Sequence, residues 1–305
     1  MAAPRRAGGA CGAERHHGEL RADDRGWAYD EFQDSGQHVV GDMVAIDAHI
    51  MCTPAIADID GDGSDDLVVP VSYFFDRAYY DSGEHRRRLP ADLALEKYVA
   101  SGVAVFDLKT HALKWVQHLD LSTDLVQYRC AQLAALRLVA RPDSAVLLPE
   151  RHRPEGGTHP RGGARRAYVY SAPTLVDLDH DGKLEIVVGT SVGFIYVLDH
   201  LGNAKPGWPK QMADVQAQVA VADVDGDGTA ELLALDSKGS VALFDAKGTL
   251  RWDMHVRSPL AQAATLGDID GDGRLEAVFG AASGEVYALD AVTGALTGVV
   301  SASRA

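Results

Sequence analysis

Asp223-Val-Asp-Gly-Asp-Gly-Thr-Ala-Glu231 is the stretch that decides the fold, because the same nine-residue grammar returns three more times. The other copies are Asp58-Ile-Asp-Gly-Asp-Gly-Ser-Asp-Asp66, Asp177-Leu-Asp-His-Asp-Gly-Lys-Leu-Glu185 and Asp268-Ile-Asp-Gly-Asp-Gly-Arg-Leu-Glu276. Position 1 is Asp58, Asp177, Asp223 or Asp268, and position 3 is Asp60, Asp179, Asp225 or Asp270. Position 5 is Asp62, Asp181, Asp227 or Asp272, and position 9 is Asp66, Glu185, Glu231 or Glu276. Four ionised carboxylates gathered within about 5 Å repel by roughly 3 kcal/mol per pair at an effective dielectric near 20. Such a loop calls for a cation.

The oxygen-only donor set on a flexible loop favours Ca²⁺, which accepts six to eight oxygens, over Mg²⁺, which retains waters. Up to four Ca²⁺ are expected, one per loop. Position 7 is Ser64, Lys183, Thr229 or Arg274, side chains so different that only the backbone carbonyl is expected to serve there. Gly63, Gly182, Gly228 and Gly273 stand at position 6, where the loop must turn sharply. An EF-hand would need a bidentate glutamate at position 12 and a following helix. Position 12 here is Val69, Val188, Ala234 or Phe279, inside β-type apolar runs, so the last carboxylate opens a strand. An Asp-Gly hairpin turn is the plain alternative for any single copy, and four copies in one register argue against it.

A second landmark follows each loop, a glycine and an apolar strand closing on aspartate. The stretches are Gly102–Asp107, Gly193–Asp199, Gly239–Asp245 and Gly284–Asp290. From first loop aspartate to closing aspartate the step is 22 residues in the last three repeats and 49 in the first. A turn and another strand come next, bearing Trp115, Trp208 or Trp252. Each repeat of about 45 residues thus holds four short strands, the pattern of a β-propeller blade. The expected fold class is all-β, a propeller of four-stranded blades, about four in number and incomplete or open, stabilised by blade stacking. No amphipathic helix separates the strands, which excludes an α/β reading.

The blades are expected over 39–305, after a disordered lead-in at 1–38 rich in Ala, Gly, Arg, His and Asp. His16 and His17 in that tail read as solvated rather than as metal ligands. Two insertions interrupt the first repeat. The one at 73–99 contains Tyr73, Phe74, Phe75, Tyr79 and Tyr80, with a short helix expected from Pro90. These aromatics either cap the blade's own edge or form a binding loop. The one at about 125–166 has eight Arg against three acidic residues and four Pro, and is expected to be disordered or translated non-coding sequence.

The 305 residues carry a formal charge of −15, and sixteen of the 44 acidic residues stand at positions 1, 3, 5 and 9 of the loops. Four bound Ca²⁺ would bring the charge to −7, so acidity points to metal and nucleic acid is not an expected partner. Three cysteines, Cys11, Cys52 and Cys130, make no disulfide framework. No stretch approaches eighteen apolar residues, and the N-terminus lacks a signal-peptide core.

These features together resemble the FG-GAP repeats of integrin α-subunit-type propellers, whose calcium loops follow Asp-x-Asp-x-Asp-Gly-x-x-Asp/Glu. The chain is more closely similar to the plant and algal "defective in exine formation" family. The resemblance rests on 46–60, 71–81, 120–124, 166–174 and 188–196, and covers about 38–124 and 166–300. It implies a non-catalytic calcium-binding adhesion or scaffold module in the secretory pathway or at the cell surface, acting in cell-wall (exine) patterning. The implied partner is a protein or a cell-wall polysaccharide. Members are longer, with a secretory route and a membrane-spanning end, so the chain is expected to be a fragment or an imperfect gene model. The alternative is a quinoprotein-like enzyme or envelope-assembly propeller, prompted by Gly284-Glu-Val-Tyr-Ala-Leu-Asp-Ala-Val-Thr-Gly294. That repeat type expects a tryptophan soon after the second glycine, and none follows Gly294. No acid, base or nucleophile cluster marks an active site.

Overall fold

The structure is a computed structural model and describes residues 20–23, 26–29, 43–44, 46–75, 83–87, 99–122, 127–129, 146–147 and 167–301. The regular structure of the described residues is almost entirely β. In chain order the strands begin with β1 (Leu20–Asp23), β2 (Gly26–Tyr29), β3 (Met43–Val44), β4 (Ile46–His49), β5 (Ala55–Ala57) and β6 (Asp66–Phe75). A single helical turn, α1 (Gly83–Arg86), precedes β7 (Val99–Asp107), β8 (Ala112–Ser122), β9 (Gln127–Arg129) and β10 (Val146–Leu147). No described helix is long and apolar enough to cross a membrane.

Three complete blades follow. The second blade is β11 (Thr174–Val176), β12 (Glu185–Gly189), β13 (Phe194–Leu198) and β14 (Lys210–Gln211). The third is β15 (Ala220–Ala222), β16 (Glu231–Leu235), β17 (Ser240–Phe244) and β18 (Leu250–His255). The fourth is β19 (Thr265–Gly267), β20 (Glu276–Gly280), β21 (Glu285–Asp290) and β22 (Leu296–Ser301). Each is an antiparallel four-stranded sheet in sequential order, the sheet of a β-propeller blade. The first blade has the longer order β4-β6-β7-β8-β9, with β5 also on β6. There β5 pairs with Asp66–Val68, while β4 pairs with Ser72–Phe75 farther along.

Position 9 of every loop opens a strand, as expected: Asp66 starts β6, Glu185 β12, Glu231 β16 and Glu276 β20. Val69, Val188, Ala234 and Phe279 at position 12 are all buried. One departure is in the second blade, where Trp208 precedes the fourth strand. Pro206 and Pro209 lack the N–H a ladder needs, which leaves β14 only two residues long.

The chain divides into two compact units. One comprises 1–49, 72–102 and 117–167, the other 50–71, 103–116 and 168–305. In the first, the β1–β2 hairpin lies within the expected lead-in, and β10 pairs with β3. The rest of 1–38 lies outside the described residues, as do His16, His17, Cys11, Cys130, Tyr79, Tyr80, Pro90 and most of 125–166. Tyr73 is buried, its ring edge-on against His118 at 5.2 Å. His118 is itself buried, its Nδ1 lacks a hydrogen-bond partner, and burial pushes its pKa down to about 4. It is a neutral core histidine.

In the other unit the first strands touch in the order β5, β11, β15, β19. Two apolar cores fill the joints between successive blades. Val187, Ile195, Val197 and Trp208 of the second blade meet Leu232, Ala234, Ala242 and Phe244 of the third. Leu233, Leu235, Val241 and Leu243 of the third meet Ala277, Phe279 and Leu289 of the fourth. Strand alternation thus gives the third blade one face for each neighbour. The tryptophans fasten these joints. Nε1 of Trp115, Trp208 and Trp252 donates to the carbonyls of His200, Ala246 and Ala291, at 2.9, 3.1 and 3.0 Å. Each acceptor directly follows the closing aspartate of the next blade. Gly202 and Gly294 lie so close under Trp115 and Trp252 that a Cβ there would meet the indole at 2.9 and 2.6 Å.

Candidate metal centres

Each acidic loop is a hairpin between the first and second strands of its blade, folded by its own carboxylates. The position 1 aspartate accepts the N–H groups that the turn leaves pointing inward. Gly61 and Gly63 donate to Asp58, Gly182 to Asp177, Gly226 and Gly228 to Asp223, and Gly271 and Gly273 to Asp268, all at 2.6–3.0 Å. The Gly63 N–H leads in holding the Asp58 carboxyl below its usual range. Position 6 is left-handed in all four loops, φ 82–90°. Position 4 is left-handed too, and in the second loop it is His180 at φ 59°. The His180 ring spends its Nε2 on the Gly228 carbonyl of the next loop, 2.9 Å away.

The position 9 carboxylates sit at the buried root of the loop. Asp66, Glu185, Glu231 and Glu276 are all no more than 3% exposed. The three glutamates each accept the N–H of position 2, from Leu178, Val224 and Ile269, at 2.8–3.0 Å. One oxygen is thereby fixed to the backbone and the other is left for the loop's interior. Burial raises the carboxyls of Asp66 and Glu231 above their ordinary range.

Of the four carboxylates expected to gather in each loop, three do so, and which one stays outside differs between loops. Oxygens of Asp177, Asp179 and Glu185 lie within 4.8 Å of one another, as do those of Asp223, Asp225 and Glu231, and of Asp268, Asp270 and Glu276. In the first loop the group is Asp58, Asp60 and Asp62. Asp181, Asp227 and Asp272 stand outside their groups and accept the N–H of position 7, from Lys183, Thr229 and Arg274, at 2.7–2.8 Å. Asp62 takes Ser64 the same way at 2.8 Å. The position 7 side chains of two loops have partners of their own: Lys183 meets His200 Nε2 at 3.1 Å, and Arg274 meets Asp272 and Asp290 at 2.9 and 3.1 Å.

A basic side chain that the sequence reading missed completes three of the loops. Lys114 Nζ lies 2.7 Å from Asp60 and 2.9 Å from Asp66. Lys205 Nζ lies 2.5 Å from Asp179 and 3.1 Å from Glu185. Arg251 lies 2.5 Å from Asp225. Burial pulls both lysines down, but the facing carboxylates outweigh it and hold them above the ordinary value. Lys205 in turn holds Asp179 low. These ammonium groups mark where the carboxylates demand positive charge. Asp60 Oδ1 is moreover buried without any hydrogen-bond partner. An all-oxygen donor set, a stand-in cation and an orphaned carboxylate oxygen all fit a hard divalent ion. Burial raises the Cys52 thiol to about 11.

The family model of the FG-GAP-like repeat matches residues 177–234 and 223–279, which hold the second and third loops and the fourth. No curated protein matches the chain in sequence. Similar solved structures include BBS1N in complex with ARL6DN, 12% identical, covering 86% of this chain and 74% of that one at a TM-score of 0.38. The Vibrio cholerae biofilm matrix protein Bap1 is 18% identical, covering 95% and 41% at 0.35. BamB from Moraxella catarrhalis is 14% identical, covering 85% and 78% at 0.35.

Proposed function

We propose that the chain is a non-catalytic propeller module whose acidic loops take up calcium as a structural staple. The observation that carries this reading is the convergence of three carboxylates within 4.8 Å in each of four equivalent hairpins. Calcium in such a loop would tie the start of the second strand to the hairpin before it, through a position 9 carboxylate already anchored to the backbone. The match to the FG-GAP-like repeat over the last three loops supports the assignment. Asp58, Asp60, Asp62 and Asp66 of the first loop would hold an ion alike, as would Asp177, Asp179, Asp181 and Glu185 of the second. Asp223, Asp225, Asp227 and Glu231 would serve in the third, and Asp268, Asp270, Asp272 and Glu276 in the fourth. The position 7 carbonyls of Ser64, Lys183, Thr229 and Arg274 complete the set. Bound calcium supplies charge neutralisation and cross-linking here.

On this reading the module is an adhesion or scaffold element of the cell surface or extracellular space, and its partner a protein or cell-wall polysaccharide. The resemblance of 38–124 and 166–300 to the "defective in exine formation" family supports a role in wall patterning. Native mass spectrometry of the full chain in calcium tests the metal reading: up to four bound ions are expected, and Asp268→Asn removes one. No calcium adduct above the background of a non-binding control overturns it. Sedimentation with isolated cell-wall polysaccharide, with and without calcium, tests the partner; equal recovery with and without the polysaccharide removes that candidate.

A further inference from the structure

The basic side chains in the first three loops come from one structural position. After each closing aspartate the chain makes a left-handed turn at His111, Gly202, Gly248 or Gly294, with φ 56, 86, 79 and 71°. Three residues beyond that turn stand Lys114, Lys205 and Arg251, and in the fourth blade Thr297. The first three reach across their own blade to the loop carboxylates. The hydroxyl of Thr297 instead donates to the Ala288 carbonyl at 2.9 Å. Among the described residues, Asp268, Asp270 and Glu276 have no ion-pair partner. Arg274, the nearby cation, is 62% exposed and engages Asp272 and Asp290.

Resting on the reading of the loops as calcium sites, we propose that this position sets the order in which they fill. A calcium ion sits 2.3–2.6 Å from its oxygens. The ammonium groups of Lys114 and Lys205 and the Arg251 guanidinium already lie 2.5–3.1 Å from the same carboxylates. Tether and calcium compete for these carboxylates, fully at Asp66, whose two oxygens both face Lys114, and in part at Asp60, whose Oδ1 stays open. The first three loops therefore exchange a cation held on the position 3 aspartate for calcium, whereas in the fourth Asp268, Asp270 and Glu276 take the ion without displacing one and the exposed Arg274 has only to swing off Asp272. Hydrogen bonds between charged groups correspond to about tenfold to hundredfold in an equilibrium constant, so the fourth loop binds more tightly than the others by about that factor. The tethers also offset part of the negative charge of the first three hairpins when calcium is scarce.

Calorimetric titration of the full chain with calcium, after stripping with EGTA, reads this directly. One tight site and a weaker class, separated about tenfold or more, are expected. Arg251→Met moves one site from the weak class to the tight one, and Thr297→Lys moves the tight site into the weak class. Arg251 is 42% exposed, so its replacement leaves the core intact, and a far-UV spectrum checks the fold of each variant. Four sites of equal affinity, or Thr297→Lys leaving the tight site unmoved, overturn the proposal while calcium binding itself stands. Absence of any calcium heat, together with absence of terbium luminescence from the same samples, removes the underlying reading as well.

Discussion

The third and fourth blades align without a gap from the loop to the closing aspartate, 223–245 against 268–290, yet they live in different surroundings. Val241 is fully buried and its counterpart Val286 is 41% exposed. Val224, at position 2 of the third loop, is 6% exposed, while Ile269 at the same position of the fourth is 60% exposed. Leu243 and Trp252, which press on the fourth blade, are replaced there by Ala288 and Gly298. The blade's own sheet does not bury these positions. Its apolar pattern is written for a neighbour, and burial follows from blade-to-blade stacking, as in other repeat architectures.

The contrast is open to attack by paired substitutions. Leu243→Ala removes a fully buried side chain from the joint and should destabilise by about 2–5 kcal/mol, whereas Val286→Ala on the exposed face should change stability by less than about 1 kcal/mol. Equal shifts in urea midpoint would break the comparison. Glycine replacements should separate the blades next. Gly239 and Gly284 are both left-handed, at φ 100 and 93°, so alanine strains each backbone by about 1–2 kcal/mol. Only at Gly239 would the new Cβ strike backbone, 2.1 Å from the Val256 oxygen, while at Gly284 nothing lies within 4 Å. Thermal melts should therefore show a clearly larger loss for Gly239→Ala than for Gly284→Ala. A smaller effect is expected from Trp252→Phe, which keeps much of the packing and deletes the bond to Ala291, worth about 1 kcal/mol. No loss at all would mean that the indole N–H does not fasten the joint.

Much of this was legible in the sequence because each repeat carries its instructions locally. Positions 1, 6 and 9 of the loop fold it through bonds spanning at most seven residues, such as Val224 N–H to Glu231. The 22-residue step placed the third strand in every blade that lacks an insertion. What escaped depends on contacts between distant residues. Lys114 meets Asp60 across 54 positions, and Arg251 meets Asp225 across 26. Counted from the closing aspartate, the tether falls seven residues on in the first blade and six in the next two, which hid its equivalence. Counting from the left-handed turn residue would have exposed it, although His111 rather than glycine stands there in the first blade. The tryptophans were seen as landmarks, but their acceptors lie 38–85 residues away in the following blade, beyond any local pattern. The uncovered face of the fourth blade left no trace in the repeat, since Val286 obeys the same alternation as Val241.

Calcium as a structural staple is the central claim, and the melting temperature of the EGTA-stripped full chain, followed as calcium is added back, tests it most directly. A ligand held only by the folded state stabilises by about 2.7 kcal/mol at a hundredfold excess over Kd, so the melt should rise by several degrees and fall again on renewed chelation. A melting curve unmoved by calcium or by EGTA would contradict the account.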